Sequence, residues 1–382
     1  KVQMYSASVS TYPDSSSSRI FLQELKTQTE PGKPGRYSLK SLNDGEIKSR
    51  QPSFNGRQTI IRLDDGVHLI KLNGSKDEVA AFVNLNGNNT GKNDTFGIVK
   101  EANVNLEADE WKKVLLPWTV RGPDNDNKFK SINQKPEKYS QRYRIRDNNG
   151  NRDLGDIVNS PIVAVGGYLA TSANDGMVHI FKKNGGSDER SYNLKLSYIP
   201  GTMPRQYFDN DTSALKDSTL AQELRTFAEK GYVGDRYGVD GGFVLRQVNL
   251  NGQDRVFMFG AMGLGGRGAY ALDLSKINGN YPAAAPLFDV KDGDNNGKNR
   301  VEVKLGYTVG TPQIGKTQNG TYSAFLASGY AAKKIDDSTN KTALYVYDLK
   351  DTLGTPIAKI EAPGGKGGLS SPTLVDKDLD GT

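Results

Sequence analysis

The stretch SPIVAVGGYLATSANDGMVHIFK, from Ser160 to Lys182, decides how this chain is read. It opens with a Ser-Pro and apolar residues, runs through Tyr168-Leu169-Ala170-Thr171-Ser172 into small turn residues, and closes on the alternating Val178-His179-Ile180-Phe181-Lys182. Short runs rich in β-branched and aromatic residues, bounded by Gly, Asn and Asp, are strands joined by tight turns.

The phrase returns. Its opening recurs as Thr311-Pro312-Gln313-Ile314 and Ser371-Pro372-Thr373-Leu374, and its closing strand as Ala269-Tyr270-Ala271-Leu272-Asp273 and Leu344-Tyr345-Val346-Tyr347-Asp348. The middle strand has a counterpart in Ser323-Ala324-Phe325-Leu326-Ala327-Ser328-Gly329-Tyr330. A small antiparallel unit of this kind cannot bury both of its faces, so neighbouring units must stack. Units of about 40–50 residues stacked radially are propeller blades. The expected fold class is therefore all-β: an incomplete β-propeller with helical insertions over 156–382, reaching a fourth blade near Thr382 and short of a closed ring. An irregular β-sandwich gives similar strand spacing and is the alternative; the recurrence of the phrase as text favours the propeller.

Outward from the repeats, residues 1–122 read as an irregular N-terminal segment ending in a Trp-bearing helix, and 123–155 as a linker containing Asp124-Asn125-Asp126-Asn127. Ser15-Ser16-Ser17-Ser18 and Pro31-Gly32-Lys33-Pro34-Gly35 punctuate the first part. Its strand candidates are Lys1–Val9, Arg19–Leu25, Thr59–Leu63 and His68–Lys71. Trp111, Val114, Leu115 and Trp118 recur at helical spacing, with Glu107, Asp109 and Glu110 before them, and predict a helix over 98–122 that Pro117 ends or kinks. Between the first two blades, Thr219 to Lys230 carries Leu220, Leu224 and Phe227 on one face. A Thr219-x-x-Gln222 capping box and Gly231 bracket this helix, which is expected to cover a blade edge.

Composition narrows the chemistry. The 382 residues include 43 glycines and no cysteine, which excludes disulfides, thiolate catalysis and zinc-thiolate sites. His68 and His179 are the only histidines, too few for a His-rich transition-metal site. A net charge of +6, scattered along the chain, gives no basic run of the kind that binds nucleic acid. No signal peptide or apolar run of transmembrane length is present, and the first residue is Lys1, as in a piece of a longer precursor. Gly263-Leu264-Gly265-Gly266-Arg267-Gly268 is not flanked as a phosphate-binding βαβ turn would be, so close strand packing is its expected role. No Gly-x-Ser-x-Gly and no His-Glu-x-x-His occurs, and no enzyme is expected.

The sharpest motif is Asp376-Lys377-Asp378-Leu379-Asp380-Gly381-Thr382. Oxygen side chains at positions 1, 3 and 5 with Gly at 6 begin a calcium loop: alternate residues point inward, and the glycine turn brings the position-7 carbonyl, here that of Thr382, to the ion. Asp292-Gly293-Asp294-Asn295-Asn296-Gly297 repeats the spacing more weakly, since Arg300 stands at position 9. Asp292, Asp294 and Asn296 are its candidate ligands. Asp147-Asn148-Asn149-Gly150-Asn151-Arg152-Asp153 is a poorer match, with Gly at position 4.

Four phrases together resemble the PilC/PilY family of type IV pilus tip adhesins, most nearly the neisserial PilC type. They are Trp118-Thr119-Val120-Arg121-Gly122, Asp153-Leu154-Gly155-Asp156-Ile157-Val158-Asn159-Ser160-Pro161, Ala173-Asn174-Asp175-Gly176-Met177-Val178-His179-Ile180-Phe181 and the Asp376 loop. The resemblance covers about 98–382. It implies a C-terminal propeller, a place at the pilus tip and outer-membrane surface, partnership with pilins or minor pilins and a host-cell receptor, and a role opposing pilus retraction. It also implies a calcium loop of spacing 1, 3, 5, 7, 9, of which Asp376, Asp378, Asp380 and Thr382 match four positions. No Arg-Gly-Asp is present to support integrin binding. A quinoprotein-like propeller dehydrogenase is the alternative, and it would need a cofactor-facing Trp. Both tryptophans lie outside the repeats.

Overall fold

The computed structural model describes residues 2–9, 17–28, 36–39, 41–50, 52, 56–72, 79–84, 92–98, 106–119, 154–155, 157, 160–183, 192–209, 211–230, 237–278, 282–294, 301–329, 341–350 and 353–366. In chain order, β1 (Val2–Val9), β2 (Ser17–Gln28) and β3 (Arg36–Leu39) form an antiparallel meander, followed by α1 (Asp44–Ser49). Next come β4 (Gln58–Leu63), β5 (Gly66–Leu72) and β6 (Val79–Asn84), then the short helices α2 (Trp111–Val114) and α3 (Leu116–Thr119). Strand β7 (Leu154–Gly155) returns to pair with β2.

Among the described residues three antiparallel four-strand units follow. The first is β8 (Val163–Val165), β9 (Tyr168–Ser172), β10 (Val178–Lys183) and β11 (Tyr192–Pro200). After it come a separate ribbon, β12 (Pro204–Asp209) and β13 (Ala214–Thr219), and the helix α4 (Leu220–Lys230). The second unit is β14 (Phe243–Leu250), β15 (Gln253–Ala261), β16 (Gly268–Asp273) and β17 (Pro286–Lys291). The third is β18 (Gln313–Lys316), β19 (Tyr322–Ala327), β20 (Lys341–Asp348) and β21 (Ala358–Lys366). The first strands of successive units touch, β8 against β14 and β14 against β18, as inner strands around an axis do. The fold is a partial β-propeller.

The recurring closing phrase is the third strand of each unit, β10, β16 and β20, and a fourth strand lies outside it. The second blade lacks the Ser/Thr-Pro opening for a steric reason. Gly241-Gly242 stands there, and a side chain at Gly242 would overlap Thr311 of the next blade's opening. The Ser371-Pro372 opening lies outside the described residues, as does all of 123–155 except Leu154-Gly155.

Stacking buries the blade faces. Ile180, Tyr198, Met258, Tyr270 and Leu272 share one core between the first two sheets. Phe259, Phe288 and Tyr347 fill a second core between the next two, with ring centroids 5.7–6.3 Å apart. Each such side chain contributes about 1.5–3 kcal/mol by burial alone, with ring packing adding to it.

The N-terminal strands take a larger part than their polarity predicts. β4 pairs in parallel with β11, so β4, β5 and β6 extend the first blade into a seven-stranded sheet. The predicted strands at Thr59–Leu63 and His68–Lys71 are present, as β4 and β5. The long helix predicted over 98–122 is not found among the described residues, where only α2 and α3 form, of four residues each. Trp111, Val114, Leu115, Leu116, Pro117 and Trp118 are all buried. Pro117 has no N–H to continue the ladder of α2 and stands instead in the first turn of α3, and the side chain of Asn93 takes the Trp111 N–H at 3.0 Å while donating to the Glu107 carbonyl.

Helix α4 forms as predicted. Thr219 Oγ1 accepts from the Gln222 N–H (3.3 Å) and Gln222 Oε1 accepts from the Thr219 N–H (2.9 Å). Leu220 and Leu224 press on Gly176 in the β9–β10 turn, and the helix backbone at Gln222 meets Gly97 so closely that only a glycine fits there.

Candidate functional site

Each blade joins the next through backbone, at one end of the stack. The turn after β9 offers the Ala173 carbonyl to the Val239 N–H (3.1 Å), and the Asn174 side-chain carbonyl accepts from the Gly238 N–H (3.0 Å). The turn after β15 repeats this one blade on. Gly263 donates to the Thr308 carbonyl (2.8 Å), and Thr308 Oγ1 accepts from the Met262 N–H and donates to the Gly268 carbonyl. A Cβ on Gly265 would overlap the Gly238 carbonyl, and one on Gly329 the Tyr307 carbonyl. The Gly263–Gly268 stretch is therefore a packing device. Its N–H groups go to protein carbonyls, Gly265 to Met262 and Arg267 to Pro204.

His179 lies inside the first of these joints. Its Nδ1 is 2.8 Å from Ser197 Oγ, across the β10–β11 pair, and its Nε2 is 3.0 Å from Asp175 Oδ2 in the turn. Asp175 Oδ1 accepts from the Met177 N–H. Ser197 and His179 are fully buried, so the chain of bonds fixes the turn and has no access to a substrate. Spacing alone does not reveal this trio. Its traces in the sequence are the Asp175-Gly176 turn and a histidine three residues beyond it.

A second buried network joins the first two blades. Tyr198 donates to Asp289 Oδ1 at 2.7 Å, Arg62 Nε donates to the Tyr198 hydroxyl at 3.3 Å, and Arg62 lies 3.6 Å from Asp289 Oδ2. Burial raises the Asp289 carboxyl above the usual carboxylate range despite Arg62, and burial pushes the Tyr198 hydroxyl well up. Further out, Lys291 pairs with Asp64 at 3.3 Å.

The predicted metal ligands divide. Asp376, Asp378, Asp380, Thr382 and Asn296 lie outside the described residues, as do Asp147 to Asp153. Asp292 and Asp294 stand in the turn after β17, where Gly293 takes the left-handed φ of 87°. Asp292 accepts from the Leu305 N–H (2.6 Å) and from Arg267 (3.1 Å), so both carboxylate oxygens are engaged in the fold. Burial raises the Asp294 carboxyl; Lys291 opposes this, and Asp64 and Asp292 add to it. Among the described residues no three His, Asp or Glu side chains group as metal ligands. Arg267, the cation beside Asp292, is a neighbour the sequence reading did not identify. As for the alternative enzyme reading, Trp111 stacks on Phe96 at 5.9 Å, and both tryptophans are buried in the packing beside β4 and β6.

The sequence profile of the PilY1 beta-propeller domain matches residues 154–382. The type IV pilus biogenesis factor PilY1 of Pseudomonas aeruginosa strain UCBPP-PA14 is 29% identical over 290 residues, 70% of this chain and 23% of that protein. PilY1 of strain PAK is 26% identical over 326 residues, covering 75% and 24%. A PilY1 homolog of Xylella fastidiosa is 27% identical over 227 residues, covering 56% and 13%. This chain thus spans about a quarter of the length of the first two relatives. The crystal structure of the P. aeruginosa PilY1 C-terminal domain, 25% identical, superposes over 56% of this chain and 34% of that one with a TM-score of 0.35.

Proposed function

The chain belongs to the PilY1 β-propeller domain family, and from that premise we propose that it is the propeller region of a type IV pilus biogenesis factor and adhesin. The observation carrying this reading is the family match over 154–382, a span that holds the three described blades. In this reading the protein works at the pilus tip and the bacterial outer surface, opposes retraction, and bridges pilin or minor pilin subunits to a host-cell receptor. The enclosed Ser197–His179–Asp175 relay favours a binding scaffold over a catalyst.

Calcium is the modulator in this reading. Asp376, Asp378 and Asp380 offer hard carboxylate oxygens at alternating positions before Gly381, with the Thr382 carbonyl next, a donor set suited to calcium. In sequence this loop follows Ser371-Pro372 much as the turn Thr317–Thr321 follows Thr311-Pro312. In that turn Asn319 Oδ1 accepts from the Thr321 N–H at 3.3 Å and Gly320 takes φ 81°. At the Asp376 loop a bound ion would supply the positive charge that lets three carboxylates converge. Asp292 and Asp294 are a lesser second site, where a cation would compete with Arg267.

Two measurements test the proposal. Calorimetry on a chain extended beyond Thr382 should show calcium binding that Asp378→Ala abolishes; binding unchanged by that substitution removes the calcium assignment. Bacteria lacking their own copy should regain surface pili when given the full-length protein. Pilus numbers that stay unchanged would overturn the biogenesis role.

A further inference from the structure

The ribbon β12–β13 stands apart from every blade as its own two-stranded sheet, and its two edges are treated differently. Its base is rigid. Arg205 and Glu223 form an ion pair whose side chains are 2% and 5% exposed, and Arg205 also donates to the Tyr237 carbonyl. The outer edge of β12 is occupied at that base. The Gln206 N–H donates to the Tyr307 hydroxyl (3.1 Å), which donates in turn to the Gln206 carbonyl (3.3 Å), so one side chain uses both backbone groups.

Among the described residues the edge of β13 has no such cover. Ala214, Leu215, Lys216 and Asp217 are all exposed, Leu215 by 53%, and among the described residues only β12 pairs with this strand. A solvent-facing row of backbone N–H and C=O groups is a template for another extended chain. Its charge states which kind. The ribbon carries Asp209 and Asp211 at its turn and Asp217 on the exposed strand nearer the base, against Lys216, on a protein of net charge +6. Lys216 is taken by Asp209, whose carboxyl is lowered to about 2, first by that bond and then by the Asp211 N–H. Asp217 accepts only a neutral amide donor, Gln206 Nε2, at 2.9 Å. Two copies of an acidic ribbon repel one another, which disfavours self-pairing.

We propose that the β13 edge, Ala214 to Ser218, is a docking edge for an extended basic segment of a partner polypeptide, with an apolar side chain placed beside Leu215. This goes beyond the family reading and does not depend on calcium.

The probe is a capped heptapeptide alternating valine and lysine, with a valine–glutamate peptide as control, both added to the full chain. Hydrogen exchange over 214–218 should slow about tenfold with the lysine peptide and stay unchanged with the glutamate peptide. Asp217→Lys, a surface change that leaves the core alone, should weaken the lysine peptide about tenfold. Leu215→Ser, which leaves the charge of the edge unchanged, should weaken the protection as well. The proposal is overturned if both peptides protect equally, if neither does, or if Asp217→Lys has no effect. It is equally overturned if protection of 214–218 grows with protein concentration alone and Leu215→Ser weakens it, because the edge then serves a second copy.

Discussion

Asp289 shows how one buried carboxylate shapes the response of the blade interface to pH. Its neighbours are Arg62 from β4, Tyr198 from β11, Tyr270 from β16 and Lys291 on its own strand. Burial outweighs the attraction of Arg62, so the folded-state value lies above the unfolded one. The fold is then favoured while Asp289 is protonated, and that contribution is lost as pH rises from the ordinary carboxylate range through the folded value. Denaturant titrations at a series of pH values should show Asp289→Asn gaining stability relative to the parent as pH rises through that window. A difference that stays flat with pH would refute this. Arg62, His179, Asp175 and Ser197 were legible only as residue types. His179 meets Ser197 across 18 residues and Asp175 across 4, while Asp64 and Lys291, beside the Arg62–Asp289 pair, lie 227 residues apart, and periodicity carries no information about such pairings.

At the scale of elements, legibility followed local chemistry. Helix α4 could be read outright, because its signals all lie within the thirteen residues from Thr219 to Gly231: the capping box, the apolar face and the terminal glycine. Thr219→Ala removes one side of that box and should cost about 1 kcal/mol. The check is a thermal melt, with hydrogen exchange confined to Leu220–Glu223 rising faster than elsewhere. The helix over 98–122 misled because helical spacing and continuous burial place the same residues in a row, and only tertiary packing separates the two. The ribbon β12–β13 went unread for another reason. Its strand β13 is exposed on both faces and so has no alternation to betray it.

For the whole molecule, stability is shared between sheets. Phe288 of β17 packs against Phe259 of its own sheet and Tyr347 of the next, at 6.3 and 5.7 Å. Phe288→Ala should therefore cost about 3–5 kcal/mol. Because the cavity opens between two blades, calorimetry should still find them melting together at a lower temperature, whereas two separated transitions would show that they fold independently. The repeated phrase revealed the propeller because each blade solves the same problem of an unburied face. What it could not reveal was the seven-stranded first sheet, since β4 to β6 belong to no repeat.

That composite sheet has a consequence for biosynthesis. Ile60 pairs with Tyr198, so β4 is made 138 residues before the strand it lies against. At about 5–20 residues per second, the wait is on the order of ten seconds. Through that interval β4 and β5 have an apolar hairpin and one bare flank, the condition in which nascent chains stick to one another. Secretion or chaperone capture that keeps residues 58–84 extended until residue 200 has emerged would therefore decide the yield of folded protein.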